Sequence, residues 1–600
     1  MRRLKAFLAV AVLASRVVPL GSGAVRAQEA PTEIVVTTNS DASNGDVSTV
    51  AGLMASPGDD GISLREVITA TNNDPGNYAV RFDATLVGAD IMIGSDAQLD
   101  LPPLVGGGVT IDGDIDADGV PEITLRRGFE GPSPCRRCAF RIASSNNALR
   151  HLAIHGFAYG VRFTPSRTDN PDDSLDTFQT YSNNSLEGLI MTGISQAGVG
   201  LVWYRPECDV PGGNAENGCE THNSWTDTRI VGNTIRTRRY GVLWPLGQHS
   251  IGDRIERWEV SDNTISIRRS DAKERIGIRF EAGLGVGSTE ATISELVIAR
   301  NEIGGYPDRG IYLASGVGAS DDNVVKRVRM VGNHITNEGC LDICAGVSLF
   351  LGENSEGIGW DLDPVQYSDR NLLSDVEIKG NVIRGVMHTG IAATPACCGS
   401  SNNRIEDLII VGNTIRVTGL VQGIGIVAAS GRTPHSRHSS GNRIVGVTIK
   451  SNTITIRVDG DKPSNSSRWL QGASVTLQVG GILFVGGSGP NRDGRIRDVS
   501  VAENYIDTRL IAIALIGGTY GTRKGVPEDD VVFDVLLRGN RIPRSPRIPH
   551  YVLPHAKGIS LIGGFNGARH NRVACVVLRR NRVAGVRNDV LVVSNARSRD

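Results

Sequence analysis

The chain has 600 residues, and its 63 basic and 64 acidic side chains leave a formal net charge of −1. This balance excludes an overall field that would draw the protein to nucleic acid or to an anionic membrane. With 40% apolar residues and 73 glycines, the composition is typical of a folded, turn-rich protein and excludes a disordered one.

The N-terminus has the three parts of an export signal. Arg2, Arg3 and Lys5 are followed by the short apolar run "AFLAVAVLAS", and "AVRA" before Gln28 fits a cleavage site. No later stretch has the roughly 20 apolar residues that a spanning helix needs. We therefore expect a signal peptide over residues 1–27 and a mature protein that is secreted or periplasmic.

The nine cysteines would then lie in an oxidising compartment, where disulfides form. Cys135 and Cys138 form a CxxC pair, but no second pair follows at the spacing of a zinc site. We predict disulfides that staple loops, with pairing left open. The odd count leaves one thiol, for which Cys575 in a buried apolar strand is the candidate.

The segment "GISLREVITATNN" at 61–73 predicts a short helix. Ser63 followed three residues later by Glu66 is a capping box, which satisfies backbone N–H groups at a helix start. Leu64, Val67 and Ile68 give this helix one apolar face. We expect it to cover the N-terminal end of the structure that follows.

An acidic segment, "DGDIDADG", lies at 112–119. Asp114, Asp116 and Asp118 alternate before Gly119, as at the start of a calcium-binding loop. Leu125 stands where such a loop ends in a bidentate glutamate. A calcium site and a plain acidic turn both remain open.

From residue 223 onward the pattern apolar-x-apolar-x-x-Asn-x-apolar recurs, with a mean period of about 39 residues. The recurring asparagines are Asn233, Asn263, Asn301, Asn333, Asn381, Asn413, Asn452, Asn504, Asn540 and Asn581. After each comes a glycine with alternating apolar residues. Two earlier units carry Phe157 and Ile194 in place of the asparagine. About twelve units therefore fill residues 141–600.

Alternation over four to six residues is the strand period, so each unit contains three short strands. Such units bury their inner faces only when they stack. The pattern resembles right-handed parallel β-helix proteins of the pectate-lyase-like group over residues 80–600. The resemblance implies an all-β, right-handed parallel β-helix solenoid of about twelve coils with an N-terminal capping helix. Residues 31–140 would form the cap and first strands, and 141–600 the repeats.

The capping segment carries a second resemblance. Residues 62–68 are similar to the Cys-Ser-Leu-Arg-Glu-Ala-Ile motif that begins many exported bacterial β-helix proteins, although Ile62 replaces the cysteine and Val67 the alanine. The recurring asparagine also has a structural explanation. At a corner between strands its amide can satisfy turn backbone, and stacked asparagines can bond each other along the axis.

Candidate site residues lie on the third strand of each unit. In "GIRFE", Ile278 and Phe280 should face inward, so Arg279 and Glu281 should face outward. Tyr312 would face outward one coil later, close to both. An arginine that neutralises a uronate carboxylate, beside a tyrosine or histidine that transfers a proton, suits β-elimination.

His388 precedes a later third strand and completes the candidate catalytic set. The candidate substrate-binding aromatics on neighbouring units are Trp203, Tyr204, Tyr240 and Trp244. Two other interpretations remain. Glu281 could be one of the paired carboxylates of a glycosidase, or the cluster could be a surface ion pair of little energetic weight.

The resemblance to pectate-lyase-like proteins, together with the cluster around Arg279, implies a secreted carbohydrate-active protein, a polysaccharide lyase or glycoside hydrolase that acts on a long polysaccharide. The alternative is a non-catalytic exported solenoid: an adhesin, a glycan-binding rod or a surface structural protein. We expect a monomer with no nucleic-acid partner and no membrane span. Calcium, if the acidic loop binds it, is the one cofactor expected.

Overall fold

A computed structural model describes most of the chain. The described residues are 30–94, 100–128, 138–164, 179–201, 222–246, 251–272, 274–285, 287–318, 320–339, 344–353, 368–396, 400–419, 424–429, 439–458, 479–487, 491–508, 511–518, 528–543, 558–563, 570–584 and 590–593. The predicted signal peptide, Trp203 and Tyr204 lie outside them.

Three parallel sheets of 18, 14 and 13 strands run the length of the chain, with each strand paired to its counterpart in the next coil. The predicted parallel β-helix solenoid is confirmed. With strands about 4.8 Å apart, thirteen stacked coils make a rod of about 58 Å.

The first sheet holds the strands before each asparagine. Its strands are Thr32–Val36, Tyr78–Phe82, Val109–Asp112, Ala148–Arg150, Thr180–Ser182, Ser185–Glu187, Ser224–Thr226, Arg229–Val231, Arg254–Glu256, Glu259–Ser261, Thr292–Ala299, Val324–Val331, Leu372–Lys379, Arg404–Val411, Arg443–Lys450, Arg495–Ala502, Val531–Arg538 and Arg572–Arg579.

The second sheet follows the asparagine. Its strands are Asp90–Ile93, Ile123–Arg127, Leu152–His155, Ile190–Ile194, Thr234–Thr237, Thr264–Ile267, Glu302–Gly305, His334–Asn337, Val382–Val386, Thr414–Gly419, Thr453–Val458, Tyr505–Asp507, Arg541–Ile542 and Arg582–Val583.

The third sheet carries the glycine-apolar motif. Its strands are Cys138–Ile142, Tyr159–Phe163, Ala197–Leu201, Tyr240–Pro245, Ile276–Leu284, Arg309–Val317, Ala345–Glu353, Thr389–Thr394, Ile424–Ala429, Val479–Val485, Ile511–Ile516, Ile559–Ile562 and Val590–Val593. A separate pair joins Ser439–Ser440 to Asn491–Arg492, and a 3₁₀ turn spans Ala84–Leu86.

Inward residues of all three sheets form one continuous core. In the strand Arg404–Val411, Ile405, Leu408 and Ile410 are buried, so the strict alternation skips one residue. Asp407 causes the skip, because its φ of 53° turns the backbone as a bulge does. The bulge shifts the alternation by one residue, so Leu408 and Ile410 face inward together with Ile405.

The asparagine ladder is present at all nine predicted steps, with amide-to-amide distances of 2.9–3.0 Å. Asn301 shows the geometry: its Nδ2 donates to Asn333 Oδ1 at 2.9 Å and to the Val260 carbonyl at 2.8 Å. Its Oδ1 accepts from the backbone N–H and the side chain of Asn263. Every polar group of the amide is therefore satisfied inside the core.

A second ladder lies at the other end of the first-sheet strands. Asn323, Asn371, Asn403 and Asn442 bond in sequence at 3.0–3.5 Å, and all four are buried. We did not predict this ladder. Its signal is an Asn placed ten residues before six of the ten recurring asparagines, as in Asn323 and Asn333.

The glycine that opens each third strand is required by close packing. A Cβ added at Gly310 would lie 2.4 Å from Ile335 Cγ2 and 2.6 Å from the Gly346 carbonyl oxygen. The same contacts recur at Gly277 and Gly390, always with the isoleucine that follows the asparagine. The repeat therefore fixes isoleucine and glycine as partners across the corner between the second and third sheets.

The N-terminal end is capped by two helices, α1 (Val50–Ala55) and α2 (Leu64–Asn73). The predicted capping box is confirmed, since Ser63 Oγ accepts from Glu66 N–H and Glu66 Oε2 accepts from Ser63 N–H. Leu64 and Val67 join the core. Arg65, for which we predicted no role, forms a buried ion pair with Asp41 at 2.7 Å.

Six of the nine cysteines lie outside the described residues, so the disulfides remain a prediction. Cys575 is not buried as expected. It is exposed, because it occupies the bulge position of its strand with a φ of 52°. None of the helices in the described parts of the chain is long and apolar enough to cross a membrane.

Candidate functional site

The structure brings the predicted residues Arg279, Glu281 and Tyr312 together on the outer face of the third sheet. Arg279 pairs with Tyr312 across neighbouring strands, and its guanidinium carbon lies 5.5 Å from the tyrosine ring centroid. Ile278 and Phe280 belong to the core, as the alternation predicted. The register of Ile276–Leu284 therefore creates the cluster.

This outer face is buried, which the sequence did not lead us to expect. Arg279 is 8% exposed, Tyr312 1% and Glu281 0%. Tyr312 belongs to a second apolar cluster on this face, together with Ala197, Tyr240, Ile276, Ala314, Val317 and Phe350. The ion pairs of this face are consequently held in an apolar environment, where they interact more strongly than at an open surface.

Arg279 connects two carboxylates. Its Nη2 donates to Glu281 Oε1 at 2.7 Å, and its Nη1 donates to Glu274 Oε2 and to the Tyr240 hydroxyl, the latter at 3.3 Å. Arg279 is 8% exposed and bonded to both glutamates, so it offers little surface to a substrate carboxylate. Arg279 is therefore a positioning residue for the two glutamates.

Sequence reasoning missed Glu274, the most accessible member of the cluster, whose side chain is 39% exposed. It lies two residues before the strand Ile276–Leu284, where strand alternation gives no information. Burial alone would raise the pKa of Glu274. The charges of Arg279 and Arg309 and a hydrogen bond from Tyr240 outweigh burial and hold the pKa below its ordinary value.

Tyr240 lies beneath Glu274, with its hydroxyl donating to Glu274 Oε2 at 2.9 Å. Burial raises the pKa of Tyr240 to about 12, so the phenol stays protonated at neutral pH. Arg239 Nη2 donates to the same hydroxyl at 3.1 Å. We predicted Tyr240 as a substrate-binding aromatic, but its ring is 5% exposed and only its polar end reaches the cluster.

Arg309 flanks the site on the next coil. Its guanidinium covers the Tyr312 ring at 4.5 Å, and its Nη1 lies 4.0 Å from Glu274 Oε1. Burial raises the pKa of Glu281 despite Arg279, which favours its uncharged form. Arg239, Arg279 and Arg309 thus outnumber the two glutamates, and the cluster carries net positive charge.

Trp244 was also predicted to bind substrate, and this prediction is wrong because its side chain does not reach the surface. It is 0% exposed and lies in the core, 4.8 Å from the Phe163 ring and 4.2 Å from the Trp258 ring. It shares the inward side of its strand with Val242 and pairs with Phe280 of the next coil. Because alternate residues of a strand face the same side, Trp244 faces the core together with Val242.

His388 does not join the cluster. It precedes the strand Thr389–Thr394, three strands along the third sheet from Arg279, which is about 14 Å. Its Nδ1 faces the Cys344 N–H at 3.4 Å. The predicted catalytic set is therefore divided, with His388 separate from Arg279, Glu281 and Tyr312.

The predicted acidic loop forms a compact group that could hold a metal ion. Oxygens of Asp114, Asp116, Asp118 and Glu122 lie within 4.8 Å of one another. Sequence reasoning missed Glu122, because it sought a glutamate at position 125. The turn is held by Asp114 Oδ2, which accepts from Gly119 N–H at 2.8 Å, so the carboxylates converge before any ion binds.

No family model matches the chain, and no curated protein matches it either. Among solved structures it is similar to the A-module of a mannuronan C-5 epimerase of Azotobacter vinelandii, at 10% identity and TM-score 0.24, covering 89% of this chain and 95% of that one. It is similar to a PL6 alginate lyase complexed with a trisaccharide, at 10% identity and TM-score 0.25, covering 92% and 86%. A third is PfbA, a surface adhesin of Streptococcus pneumoniae, at 8% identity and TM-score 0.22, covering 78% and 84%.

The chemistry available at the outer face follows from its own geometry. Glu274 is an ionised, accessible carboxylate with a protonated tyrosine hydroxyl bonded to it. Arg239 and Arg309 are partly exposed guanidinium groups on either side. A base, an acid and two cations at one surface position can bind an anion and move protons on it.

Proposed function

We propose that this protein is an exported, carbohydrate-active β-helix protein that cleaves a uronate-containing polysaccharide by β-elimination. The observation that carries the proposal is the excess of guanidinium groups around one accessible, ionised carboxylate, Glu274. Guanidinium groups pair well with carboxylates, so the site suits an acidic sugar better than a neutral one.

In the proposed reaction, Arg309 and Arg239 pair with the uronate carboxylate and make the proton on the adjacent carbon more acidic. Glu274 takes that proton, since its lowered pKa keeps it ionised at neutral pH. The carbon–oxygen bond of the glycosidic link at the β-carbon then breaks. Tyr240 supplies a proton to the leaving oxygen, and the new chain end is unsaturated.

Arg279 and Glu281 would hold the reacting side chains in position without contacting the substrate. Arg279 fixes Glu274 and the Tyr240 hydroxyl in position, and Glu281 holds Arg279 at 2.7 Å. Tyr312 provides the ring against which Arg309 stacks. The roles assigned to Arg279, Glu281 and Tyr312 are therefore positioning roles.

Purified protein incubated with a panel of uronate-containing and neutral polysaccharides tests the proposal. Elimination yields unsaturated ends that absorb ultraviolet light, whereas hydrolysis yields reducing ends without that absorbance. Glu274→Gln should lower the elimination rate by at least about 100-fold, the usual effect of losing a general base. Glu377→Gln, on the outer face of the first sheet beside Arg329, is the matched control and should be fully active.

Full activity of Glu274→Gln would refute this assignment, as would the absence of new chain ends with every polymer. Reducing ends without unsaturation would favour a glycoside hydrolase that uses Glu274 and Glu281 as its paired carboxylates, whose pKa values shift in opposite directions.

A non-catalytic glycan-binding solenoid is the second candidate. It is favoured by the burial of Glu281, Tyr312 and Arg279, which leaves little of the cluster accessible to a sugar ring. This candidate predicts that an acidic polysaccharide binds without new chain ends. Arg309→Ala should then weaken binding, and Glu274→Gln should strengthen it by removing a negative charge.

We further propose that the acidic loop binds calcium. Four carboxylates in a tight turn are the oxygen donors that this ion prefers, and backbone N–H groups already hold Asp114 and Glu122 in place. The loop lies in the first coils, far along the rod from Glu274. Its proposed role is to stabilise the N-terminal coils rather than to take part in cleavage.

A further inference from the structure

The two ends of the solenoid carry opposite charge, which the near-zero net charge conceals. Among the described residues, those between 30 and 125 contain 15 acidic and 2 basic side chains, whereas those from 538 onward contain 6 basic and no acidic ones. Coils stack in chain order, so these two segments lie at opposite ends of the rod. The two ends of the described rod therefore differ in the sign of their charge.

The N-terminal end presents acidic side chains to solvent. Glu33, Asp46, Asp59 and Asp60 are all exposed on or beside the capping helices. The single basic residue between positions 30 and 80 is Arg65, which is buried in its ion pair and contributes nothing to the surface. Hydrogen bonds from Ser48 hold the pKa of Asp46 below its ordinary value, so it is ionised.

The C-terminal end presents a basic and partly apolar surface. Leu578 faces inward at the position that Leu537 occupies one coil earlier, yet Leu578 is 37% exposed and Leu537 0%. Its neighbour Val577 is 44% exposed. Four exposed arginines surround these residues, and none pairs with a carboxylate of the described residues: Arg572, Arg579, Arg580 and Arg582.

We propose that copies of this protein associate end to end, with the basic C-terminal end of one copy docked on the acidic N-terminal cap of the next. Charge complementarity orients the contact, and Leu578 and Val577 supply apolar surface to bury. Met54 of α1, 53% exposed, offers an apolar side chain on the opposite end. The association departs from the monomer expected from the sequence.

A second copy is the occupant that the charges favour. Both complementary surfaces belong to the same chain, so every molecule brings one of each. Joining two C-terminal ends would place their arginines against each other, which like charges oppose. A contact between unlike ends is heterologous, because it joins two different surfaces. Every assembly of rods joined in this way keeps one unoccupied N-terminal end and one unoccupied C-terminal end. The expected product is an open chain of rods.

Sedimentation velocity of the mature protein at two ionic strengths tests this proposal. At about 10 mM salt the Debye length is about 30 Å and the ends attract, whereas at 0.15 M it is about 8 Å and the attraction is screened. We expect concentration-dependent oligomers at low salt and mainly monomers at high salt. A protein that stays monomeric at every salt and concentration would overturn the proposal.

Charge-reversed variants make the test specific. Asp59→Lys with Asp60→Lys puts two basic side chains on the acidic cap, and Arg579→Glu with Arg582→Glu puts two acidic side chains on the basic end. Each variant alone should form fewer oligomers than the wild type, and mixing the two should restore wild-type association. The control, Arg329→Glu with Arg404→Glu, changes two exposed mid-rod arginines and should associate like the wild type.

Two results would count against the assignment. Wild-type levels of oligomer in both end variants would place the contact elsewhere on the rod. Monomeric wild type that binds an acidic polysaccharide, with binding lost in the Arg579→Glu and Arg582→Glu variant, would assign the basic end to that polymer. Neither result bears on the cleavage reaction at Glu274, which lies in the middle coils and has its own assay.

Discussion

The side chain of Asn301 donates a hydrogen bond to Asn333 Oδ1 at 2.9 Å, and both residues are buried. The backbone N–H of Asn301 donates to the same oxygen at 3.0 Å. One amide therefore satisfies two donors of the previous coil, while its own Nδ2 reaches the next. Because each asparagine depends on its neighbours, a defect in one step leaves polar groups unpaired in two coils.

Asn333→Ala should markedly destabilise the solenoid. It removes the acceptor of two Asn301 donors and the donor to Asn381 Oδ1 and to the Ile298 carbonyl. Each buried group left unpaired costs about 1–3 kcal/mol. The measurement is the thermal midpoint, with Asn39→Ala as control because Asn39 is exposed. An equal, small shift in both variants would contradict a structural role for the ladder.

The repeat itself could be predicted because inward positions recur with strand alternation and asparagine recurs at every corner. The same rule places Trp244 inside with Val242, and our assignment of Trp244 to substrate binding ignored that parity. Glu274 could not be predicted, since it lies just outside a strand. The burial of Arg279 could not be predicted from the sequence either. Strand alternation predicts which side chains point away from the core, but not which residues pack against them.

Gly310→Ala should lower the stability of the rod by about 1–3 kcal/mol, the usual cost of overpacking. The new Cβ would lie 2.4 Å from Ile335 Cγ2, and both partners belong to packed coils. Gly200→Ala is the matched control. It lies in the same sheet, and its nearest neighbour, the Leu243 carbonyl oxygen, would be 3.4 Å away. Thermal midpoints of the two variants compare the positions directly; equal shifts would refute the packing explanation.

Calcium should raise the thermal midpoint of the mature protein, and a chelator should lower it. Saturation at 100 times the dissociation constant stabilises a folded protein by about 2.7 kcal/mol. Asp116→Asn with Asp118→Asn should abolish the response. Both asparagines keep an Oδ1 that can accept the backbone bonds of the turn, so the variant removes charge without removing the turn. A plain acidic turn predicts no calcium response in either protein.

Asp530 should make the stability of the rod depend on pH. It occupies a position of the second ladder, where its Oδ1 accepts from Asn491 Nδ2 at 2.6 Å and from Gly494 N–H at 2.7 Å. Oδ2 lies where an asparagine would carry its donating NH₂ group, and it is buried without a hydrogen-bond partner. Burial raises the pKa of Asp530 well above its ordinary value, despite these hydrogen bonds.

Proton linkage gives the direction in which the stability of the rod changes with pH. A raised folded-state pKa means that the folded protein binds the proton more tightly than the unfolded chain. Protonated Asp530 therefore stabilises the folded protein fully below the unfolded-state pKa of about 4. This stabilisation is lost as the pH rises toward the folded-state pKa. The slope for one proton reaches about 1.4 kcal/mol per pH unit. Asp530→Asn should raise the thermal midpoint at neutral pH and flatten its dependence above pH 4.

Asp534→Asn is the matched control, because Asp534 lies on the same strand but is exposed. It should leave the pH dependence of the thermal midpoint unchanged. If Asp530→Asn instead destabilised the protein at neutral pH, the carboxylate would have to be ionised and paired in the folded state. That result would mean that Asp530 does not act as a protonated donor in the ladder, and that its carboxylate is instead paired with a bound cation.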